Sequence, residues 1–494
     1  MTEDLRPSAT SGLPLASLVP GASGVLTGVS LDSRRIRPGD LYVGLPGAAT
    51  HGARFAAVAV AAGAIAVLTD AAGGALAADA GVPVAIVEDP RVAMARIAAD
   101  VYGRPAERTH LFGVTGTNGK TSTVFLLDAA LTAVGLRVAT IGTIGFRLGG
   151  APLDAPRSTI TTPEAPDLQA LLSVMVEGGA DAVTMEVSSH ALALHRVDGM
   201  VFDVAAFTML GHDHLEFHHT LEAYFEAKAR LFTGGRCRVA VINTADPWGR
   251  TLADRVRSEG VSDLVTTLGP DADYRVLHAE PRPSGGSRVV LAHPGGELDF
   301  TTSMLGDFNV ANAVTALAMV GARGGDLALA ASGLAEAHVP GRMQRVDLGA
   351  EAPHVVVDFA HTPQAVQAAL AALPATGRHL AVLGAGGDRD PSKRRPMGRA
   401  AASGADVVVV TDDNPRSEDP AAIRAEVLAG AREVPGVEVI DGGDRRSAIA
   451  EALRRGRPGD WIAVLGKGHE SGQEIAGVIT PFDDVAVVRD LKGN

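Results

Sequence analysis

The stretch Thr115-Gly116-Thr117-Asn118-Gly119-Lys120-Thr121 contains two glycines, a lysine and threonine hydroxyls. It lies between a segment with the pattern of a strand and a segment with the pattern of a helix. The residues before it, 110–114, form an apolar run typical of a short buried strand. Apolar residues recur at helical spacing after it, at Val124, Leu127, Leu131 and Val134. A glycine-rich loop at a helix N-terminus lets backbone N–H groups approach phosphate oxygens. The loop therefore predicts a nucleotide site, with an ordinary glycine-rich turn as the alternative.

The side chains of this loop suit a triphosphate. Lys120 can neutralise the charge of the β and γ phosphates, and the Thr121 hydroxyl can bind Mg²⁺. The spacing departs from the common P-loop, because Val114 stands where that motif has its first glycine. We therefore expect a relative of the ordinary P-loop enzymes. The residues expected to bind ATP here are Gly116, Thr117, Asn118, Gly119, Lys120, Thr121 and Ser122.

Bulk properties narrow the class of protein. A chain of 494 residues is too long for one core, and its net charge of −13 disfavours a nucleic-acid partner. The longest apolar run, 56–68, is shorter than the roughly 20 residues that span a bilayer. Cys237 is the sole cysteine, and the N-terminal MTEDLRPSAT lacks an apolar signal segment. We expect a cytoplasmic monomer without membrane spans.

The pattern of strands and helices predicts three α/β domains. Residues 1–106 suggest a small N-terminal α/β domain, with a boundary near Gly103-Arg104-Pro105. Residues 107–338 alternate strands and helices as in a doubly wound parallel sheet, with an antiparallel annex at 271–303. Residues 339–494 restart the pattern and predict a Rossmann-like domain. The strands expected in the two larger domains are 110–114, 137–142, 182–187, 202–208, 238–242, 354–359, 379–384, 406–411, 437–440 and 461–465.

Polar side chains follow the strands of the central domain, at the edge where ligands bind in such sheets. Glu186 and His214 would converge on the phosphate loop, where a carboxylate favours Mg²⁺. Zinc is an alternative for the histidine cluster at 212, 214, 218 and 219, although no thiol lies near it. Spacing alone favours a solvated surface position for Lys228.

The motifs GTNGKT, MEVSSH (185–190) and the DHL core of GHDHLEFH (211–218) resemble those of the Mur ligase family, ATP-dependent enzymes that form amide bonds in cell-wall precursors. The resemblance covers nearly the whole chain, with the motifs in the family's order. It implies that Thr121, Glu186, His214 and a carbamylated Lys228 bind Mg²⁺. Its implied catalytic residues are Lys120, Lys228, Glu186 and His214.

The resemblance extends to the rest of the nucleotide site. The segment 306–312 resembles the family's adenosine-contacting helix, with Asn309 and Asn312 as amide contacts. Asp358 and His361 lie in an element that closes over ribose and base in the family, and Arg342 would reach the phosphates.

Two further pockets are implied, one for an acid and one for an amine. The segment 31–40 resembles the uridine-diphosphate end of one branch of the family, whose acid substrate is UDP-N-acetylmuramoyl-L-alanyl-D-glutamate. Ordinary turn and capping chemistry is the alternative for each residue involved. The residues expected to contact this substrate are Ser33, Thr161, Thr162, Ser188 and Arg196.

The sequence of the C-terminal domain predicts the pocket for the amine substrate. Three polar segments follow strands there: 387–390, 412–416 (DDNPR) and 466–470. Arginine forks bind carboxylates and acidic side chains bind ammonium, so the loops suit a ligand with both groups. DNPR resembles the diaminopimelate-reading motif of one branch, whereas lysine-adding relatives lack its arginine. The expected contacts are Arg389, Asp413, Asn414, Arg416, Gly466 and Glu470.

The resemblance implies that ATP phosphorylates the γ-carboxylate of the D-glutamate and that an amine of diaminopimelate then attacks. Addition of L-lysine, or of glutamate to folate, is the nearest alternative within the fold. A regulatory nucleotide switch is the alternative from another class, and it would bind nucleotide without forming an amide.

Overall fold

The computed structural model describes residues 6–153, 160–282, 285–349 and 351–492. The chain divides into two compact units. The first contains Met1–Val276, Leu291–Leu298 and Asn312–Gly333, and the second contains Leu277–Val290, Asp299–Ala311 and Leu334–Asn494. Within the described ranges, no helix has both the length and the apolar character needed to cross a bilayer.

The N-terminal part of the first unit contains a four-stranded sheet. Its elements are β1 Leu13–Pro14, β2 Val25–Leu26, β3 Gly28–Ser30, β4 Asp40–Gly44, α1 Ala56–Ala61, β5 Ala66–Thr69, α2 Ala71–Leu76, β6 Val84–Ile86 and α3 Pro90–Val101, with 3-10 helices at Leu15–Ser17, Gly52–Phe55 and Pro105–Glu107. Strands β3, β4, β5 and β6 pair in parallel in that order. Helix α3 begins where the Asp89 carboxylate accepts from the backbone N–H groups of Arg91 and Val92, a typical N-cap.

The central part contains an eight-stranded sheet. Its elements are β7 His110–Thr115, α4 Lys120–Ala133, β8 Val138–Gly142, β9 Gly145–Leu148, β10 Ala151–Pro152, α5 Ala165–Glu177, β11 Ala182–Glu186, α6 Ser189–Ala193, β12 Phe202–Phe207, α7 Leu215–His218, α8 Leu221–Ala229, β13 Cys237–Asn243, α9 Pro247–Glu259 and β14 Asp263–Thr267. The strand order is β10-β9-β8-β11-β7-β12-β13-β14. Neighbouring strands pair in parallel, except that β9 pairs antiparallel with both β8 and β10. The five predicted central strands are confirmed.

A three-stranded sheet and two helices follow. Their bounds are β15 Arg275–Pro281, β16 Ser287–His293, β17 Gly296–Thr302, α10 Asp307–Gly321 and α11 Leu327–Leu334. The sheet order is β15-β16-β17, in the region where the sequence predicts an annex. Helix α10 begins within the segment 306–312 that the sequence assigns to adenosine contacts.

The second unit contains a six-stranded sheet. Its remaining elements are β18 Gln344–Val346, β19 His354–Asp358, α12 Pro363–Ala371, β20 His379–Leu383, a 3-10 helix Pro391–Lys393, α13 Arg394–Gly404, β21 Val407–Thr411, α14 Pro420–Ala431, β22 Glu438–Gly443, α15 Arg445–Arg455, β23 Trp461–Leu465, β24 Gly472–Ile475, β25 Val478–Pro481 and α16 Asp484–Lys492. The order is β18-β19-β23-β20-β21-β22, with β18 antiparallel to the rest. The chain is therefore of the α/β class predicted, and the polar loops follow the carboxyl ends of these strands.

Candidate functional site

The phosphate loop lies between β7 and α4, at the carboxyl edge of the central sheet. Its glycines cannot be replaced without strain, because Gly116 and Gly119 have φ angles of +149° and +88°. A Cβ on Gly116 would lie 1.9 Å from the Thr208 hydroxyl oxygen, and one on Gly119 would lie 2.5 Å from Asn312 Oδ1. The same crowding brings Asn312, predicted to contact adenosine, beside the loop.

Lys120 is the first residue of α4 and folds back over the loop. Its Nζ donates to the carbonyl oxygens of Gly116 and Thr117, at 2.9 Å in each case. The ammonium therefore lies directly over the backbone that is predicted to hold phosphate, as its predicted role requires.

Thr121 and Glu186 place two oxygen groups side by side. The Thr121 hydroxyl donates to Glu186 Oε2 at 3.0 Å, and the Thr143 N–H donates to Oε1 at 2.8 Å. Glu186 ends β11 and is only 1% exposed. A hydroxyl and a carboxylate fit the oxygen chemistry of Mg²⁺, which usually keeps several waters and few protein ligands.

Lys228 is buried, so the surface position favoured by spacing alone is wrong. It lies on α8 and is 1% exposed, and its Nζ donates to the Gly116 carbonyl at 2.8 Å. The nitrogen also lies 4.4 Å from the centre of the Tyr224 ring. Burial lowers the pKa of this amine well below its usual range, and nearby Lys120 lowers it further. The neutral form so favoured is the nucleophile that carbamylation requires.

His214 lies on the turn before α7, with a φ of +52°. Its ring is 4.8 Å from that of His190 and 6.1 Å from that of Tyr224, the residue that Lys228 also contacts. Its nitrogens lie 3.4 Å from Asp213 and 3.5 Å from Glu216. The structure thus brings Thr121 and Glu186 together, and separately groups His214 and Lys228 around one tyrosine.

The zinc alternative has no ligand set to support it. In the part of the chain that the structure describes, no group of three or more histidine, cysteine or acidic side chains is arranged to hold a metal ion. His218 is buried and its Nε2 lies 2.9 Å from the Ser189 hydroxyl. Burial lowers the pKa of His218 to about 4, so this imidazole is neutral at physiological pH.

The residues predicted to hold the acid substrate form one hydrogen-bonded group beside Glu186. The Thr162 hydroxyl donates to the Glu186 carbonyl at 2.9 Å, and its oxygen lies 3.4 Å from the Ser188 hydroxyl. Arg196 donates to the Thr162 carbonyl at 3.1 Å, and the Thr161 hydroxyl is 3.2 Å from that of Thr143. Ser188 also caps α6, so the capping alternative holds for it alongside the predicted role.

Ser33 lies outside this group. It is in the turn that follows β3, in the four-stranded sheet. The turn begins with Asp32, whose carboxylate accepts from Arg34 at 2.7 Å. That hydrogen bond with Arg34 holds the pKa of Asp32 below its usual range.

The remaining residues predicted to bind nucleotide lie in the second unit. Asn309 is fully buried and donates to the Leu305 carbonyl at 2.9 Å. Asp358 ends β19 and accepts from the N–H groups of Met343 and Ala360, at 2.7 and 2.8 Å. Loss of solvent raises the pKa of Asp358, although neighbouring Arg342 opposes the change.

Arg342 and His361 both lie against Phe359. The guanidinium carbon of Arg342 is 4.5 Å from the centre of the ring. His361 Nδ1 lies 2.8 Å from the Phe359 carbonyl oxygen. Arg342, Asp358 and His361 therefore form one local group around the end of β19.

The residues predicted to read the amino acid meet at the ends of β20, β21 and β23. Asn414 Nδ2 donates to Glu470 Oε2 at 2.8 Å. Gly466 approaches Asp413 so closely that a Cβ on the glycine would lie 2.7 Å from Oδ2. Asp413 is 6% exposed, and burial raises its pKa despite the opposing charges of Arg445 and Lys467.

Arg416 and Arg389 both lie beside Gly386. A Cβ on that glycine would lie 3.0 Å from Arg416 Nη1 and 3.7 Å from Arg389 Cγ. Arg416 has a φ of +52°, donates to the Gly387 carbonyl at 2.6 Å and lies 3.6 Å from Glu474. All six predicted residues thus belong to one group of neighbouring loops, here called the amino-acid loops: Arg389, Asp413, Asn414, Arg416, Gly466 and Glu470.

Lys467 belongs to the same loops, although the sequence did not single it out. It is fully buried, and its Nζ lies 3.2 Å from Asn414 Oδ1 and 3.1 Å from Glu470 Oε2. The carboxylate of Asp413 is 3.8 Å away. The available signal was its place in Gly466-Lys467-Gly468-His469-Glu470 directly after a strand.

Three family models match the chain in sequence. Residues 25–102 match "Mur ligase family, catalytic domain", residues 114–320 match "Mur ligase middle domain", and residues 341–468 match "Mur ligase, glutamate ligase domain". The three-part architecture expected from the sequence is therefore that of known proteins.

Curated relatives match along almost the whole chain. A UDP-N-acetylmuramoyl-L-alanyl-D-glutamate–2,6-diaminopimelate ligase from Streptomyces coelicolor is 48% identical, covering 98% of this chain and 97% of the relative. The ligase of the same name from Corynebacterium glutamicum is 44% identical over 94% of this chain and 91% of the relative. A UDP-N-acetylmuramyl-tripeptide synthetase from Leifsonia xyli is also 44% identical, over 97% of this chain and 95% of the relative.

Two solved structures share the fold of this chain. A UDP-N-acetylmuramoyl-L-alanyl-D-glutamate–2,6-diaminopimelate ligase superimposes with a TM-score of 0.72 at 32% identity, covering 98% of this chain and 99% of that one. A folylpolyglutamate synthase from Mycobacterium tuberculosis, complexed with ADP, shares the fold with a TM-score of 0.63 at 20% identity, over 82% of this chain and 95% of that one.

Proposed function

The chain belongs to the Mur ligase family, and on that premise we propose that it is an ATP-dependent ligase that adds 2,6-diaminopimelate to UDP-N-acetylmuramoyl-L-alanyl-D-glutamate. The product is a precursor of peptidoglycan. Relatives that carry this name match 98% and 94% of the chain, so we assign the activity to the chain as a whole.

The observation that carries the choice of amino acid is the composition of the amino-acid loops. Arg389 and Arg416 lie beside Gly386, and the carboxylates of Asp413 and Glu470 lie on the adjoining loops. The distal end of diaminopimelate carries a carboxylate and an ammonium group on one carbon. Two guanidinium forks and two carboxylates complement both charges, whereas the distal end of lysine has no carboxylate to offer.

The reaction needs no protein nucleophile. An oxygen of the D-glutamate γ-carboxylate attacks the γ-phosphorus of ATP, and ADP leaves. The amine of diaminopimelate then attacks the acyl carbon, phosphate leaves, and the amine loses a proton. Catalysis of this kind depends on positioning and on stabilising charge. Lys120 and the N–H groups of the loop 116–122 supply positive charge where the phosphate charge develops.

Magnesium is proposed as the cofactor, held by Thr121 and Glu186, with His214 and a carbamylated Lys228 completing the set. The metal would neutralise phosphate oxygens and orient the acyl phosphate. The support is chemical: a hydroxyl and a buried carboxylate are 3.0 Å apart, and Lys228 is a buried amine whose pKa is lowered.

The other predicted contacts are proposed in the same roles. Thr161, Thr162, Ser188 and Arg196 would hold the sugar-dipeptide, since they already form one hydrogen-bonded group at Glu186. Ser33 would contact the uridine diphosphate. The residues proposed to contact ATP outside the loop are Asn309, Asn312, Arg342, Asp358 and His361.

We propose domain boundaries near residues 106 and 338, as the sequence indicates. The acyl phosphate must be kept from water until the amine attacks it, and we propose that the bound substrates shield it. A reaction that consumes ATP and a UDP-linked precursor suits the cytoplasm, and we propose that location and a monomer.

Arg416→Ala tests the role of the amino-acid loops. Loss of a guanidinium that pairs with a carboxylate removes about 2–3 kcal/mol of binding, so KM for diaminopimelate should rise at least tenfold. KM for ATP should stay within about twofold. Steady-state ATPase kinetics with each substrate varied measure both. Equal rises in both constants would contradict the assignment.

A further inference from the structure

A groove of about 1390 Å³ lies in the first unit, away from the chemistry proposed above. Its lining includes His110, Asp181 and Arg236, which begin or directly precede the parallel strands β7, β11 and β13. The phosphate loop follows the opposite end of β7. Since a strand rises about 3.3 Å per residue, the groove and the loop lie about 20 Å apart. We call this cavity the amino-edge groove.

The groove contains a buried side chain that the fold leaves unsatisfied. Gln169, on α5, lines the groove and is 0% exposed. Neither its amide nitrogen nor its amide oxygen has a hydrogen-bond partner within the residues described. Buried amides are nearly always bonded, and leaving one unpaired costs about 1–3 kcal/mol. An unpaired amide next to a cavity is a position that a polar group from outside the chain, or a water molecule, can satisfy.

The acidic side chains of the groove are already engaged. The Asp203 carboxylate accepts from the Leu111 N–H at 2.9 Å, and that of Asp181 accepts from the Arg137 N–H at 2.8 Å. Asp198 lies 2.7 Å from His195. Arginines of the same groove offset four of the five acidic charges. Arg104 lies 2.6 Å from Asp100 and 3.3 Å from Glu107, Arg236 lies 3.7 Å from Asp198, and Arg238 lies 3.5 Å from Asp203.

Two arginines of the groove are available instead. Arg96 on α3 and Arg108 in the segment before β7 both line it and are exposed. Neither guanidinium makes a hydrogen bond or ion pair with another of the residues that the structure describes. Arginine forks pair bidentately with phosphate and carboxylate groups. Unpaired positive charge in a cavity that also contains an unsatisfied amide favours an anionic ligand.

We propose that the amino-edge groove binds a small organic polyanion, with phosphate or carboxylate groups on Arg96 and Arg108 and a polar group on Gln169. Such a ligand would join the last helix of the N-terminal region to the central sheet. The site is separate from the ligase reaction, so the proposal does not depend on the function inferred above.

Calorimetric titration of the full-length protein tests the site. Saturating ADP and Mg²⁺ first occupy the nucleotide site, and inorganic tripolyphosphate or citrate is then added as the probe. We expect one probe molecule per chain, and a Kd weakened about tenfold or more in the double variant Arg96→Ala/Arg108→Ala. The control is Arg257→Ala, which removes an exposed charge on α9 that lies outside the groove.

The two probes distinguish the sources of the anion. Binding of tripolyphosphate alone supports a phosphorylated ligand, and binding of citrate alone supports a carboxylated one. No binding of either probe with ADP present would overturn the proposal. So would equal binding by the double variant, or equal weakening by Arg257→Ala. Thermal melting of each variant confirms that it is folded, and ATPase activity without probe should be unchanged.

Discussion

Lys228 lies in a position that is unfavourable for a charged amine, and we propose a catalytic function for it. Its amine is buried beside the ammonium of Lys120, and both donate to the carbonyl of Gly116. The amine therefore binds a proton less tightly in the folded protein than in the unfolded protein. The fold is therefore weakened as pH falls below the ordinary lysine value of 10.5 towards the depressed folded pKa. A residue kept at that cost suggests a chemical role.

Lys228→Met should therefore separate stability from activity. The substitution keeps most of the side-chain volume and removes a buried amine whose protonation the fold opposes, so the melting temperature at pH 7.5 should be equal to the parent's or higher. kcat should fall at least about a hundredfold, because the proposed carbamate cannot form. Calorimetry and ATPase assays measure the two effects. A stable variant with near-normal kcat would contradict the catalytic role.

Lys467 is also a buried lysine, and we propose that it holds the amino-acid loops in position. It lies among the polar atoms of Asn414, Glu470 and Asp413. Lys467→Met should leave two carboxylates without their cation and let the amino-acid loops shift. We expect KM for diaminopimelate to rise about tenfold, with KM for ATP unchanged.

Lys492→Met, at an exposed position on α16, is the matched control for that experiment. It should leave both constants unchanged. If Lys467→Met lowered kcat without changing either KM, the positional role would be wrong.

At the scale of elements, helix α4 follows the phosphate loop and carries a carboxyl group with a shifted pKa. The helix begins at Lys120 and also carries Asp128, whose pKa is raised to about 6 by burial, against the opposing charge of Arg147. The folded state therefore holds a proton between pH 3.8 and about 6 that the unfolded state releases. Stability from this group is present below that window and is lost as pH rises through it.

Asp128→Asn should therefore stabilise the protein above the window. We expect a gain of about 1–2 kcal/mol at pH 7.5, allowing for partial exposure, and a smaller gain at pH 5. Differential scanning calorimetry at both pH values gives the change in melting temperature. Asp254→Asn, an exposed position on α9, is the control and should show neither effect. An equal gain at both pH values for Asp128→Asn would contradict the pKa assignment.

The elements that the sequence predicts best are the parallel strands, for a physical reason. β7 and β21 are covered on both faces, so they read as continuous apolar runs. The strands β9, β10 and β18 lie at or near sheet edges and are partly exposed, so no such run marks them. The hairpin of β24 and β25 is likewise exposed, and its sequence indicated no strand.

Some residues of the candidate site could also be predicted from the sequence, and others could not. The glycines and Lys120 are recognisable because a phosphate loop needs those residues at that spacing. The burial of Lys228 and Lys467 was not predictable from local sequence, because lysines are rarely buried and most of their partners lie far away in the chain. Lys467 has Glu470 three residues away, but its other partner Asn414 is 53 residues away. Gly116 is 112 residues from Lys228.

At the scale of the whole molecule, the account depends on which amino acid the chain joins to the nucleotide-linked dipeptide. The purified protein should be incubated with ATP, Mg²⁺, UDP-N-acetylmuramoyl-L-alanyl-D-glutamate and, in separate reactions, meso-diaminopimelate, L,L-diaminopimelate or L-lysine. Mass spectrometry then identifies the product, and ADP release gives the rate. The account predicts a diaminopimelate-containing tripeptide product with one of the two isomers, and little turnover with lysine. Turnover with lysine and none with either isomer would contradict it.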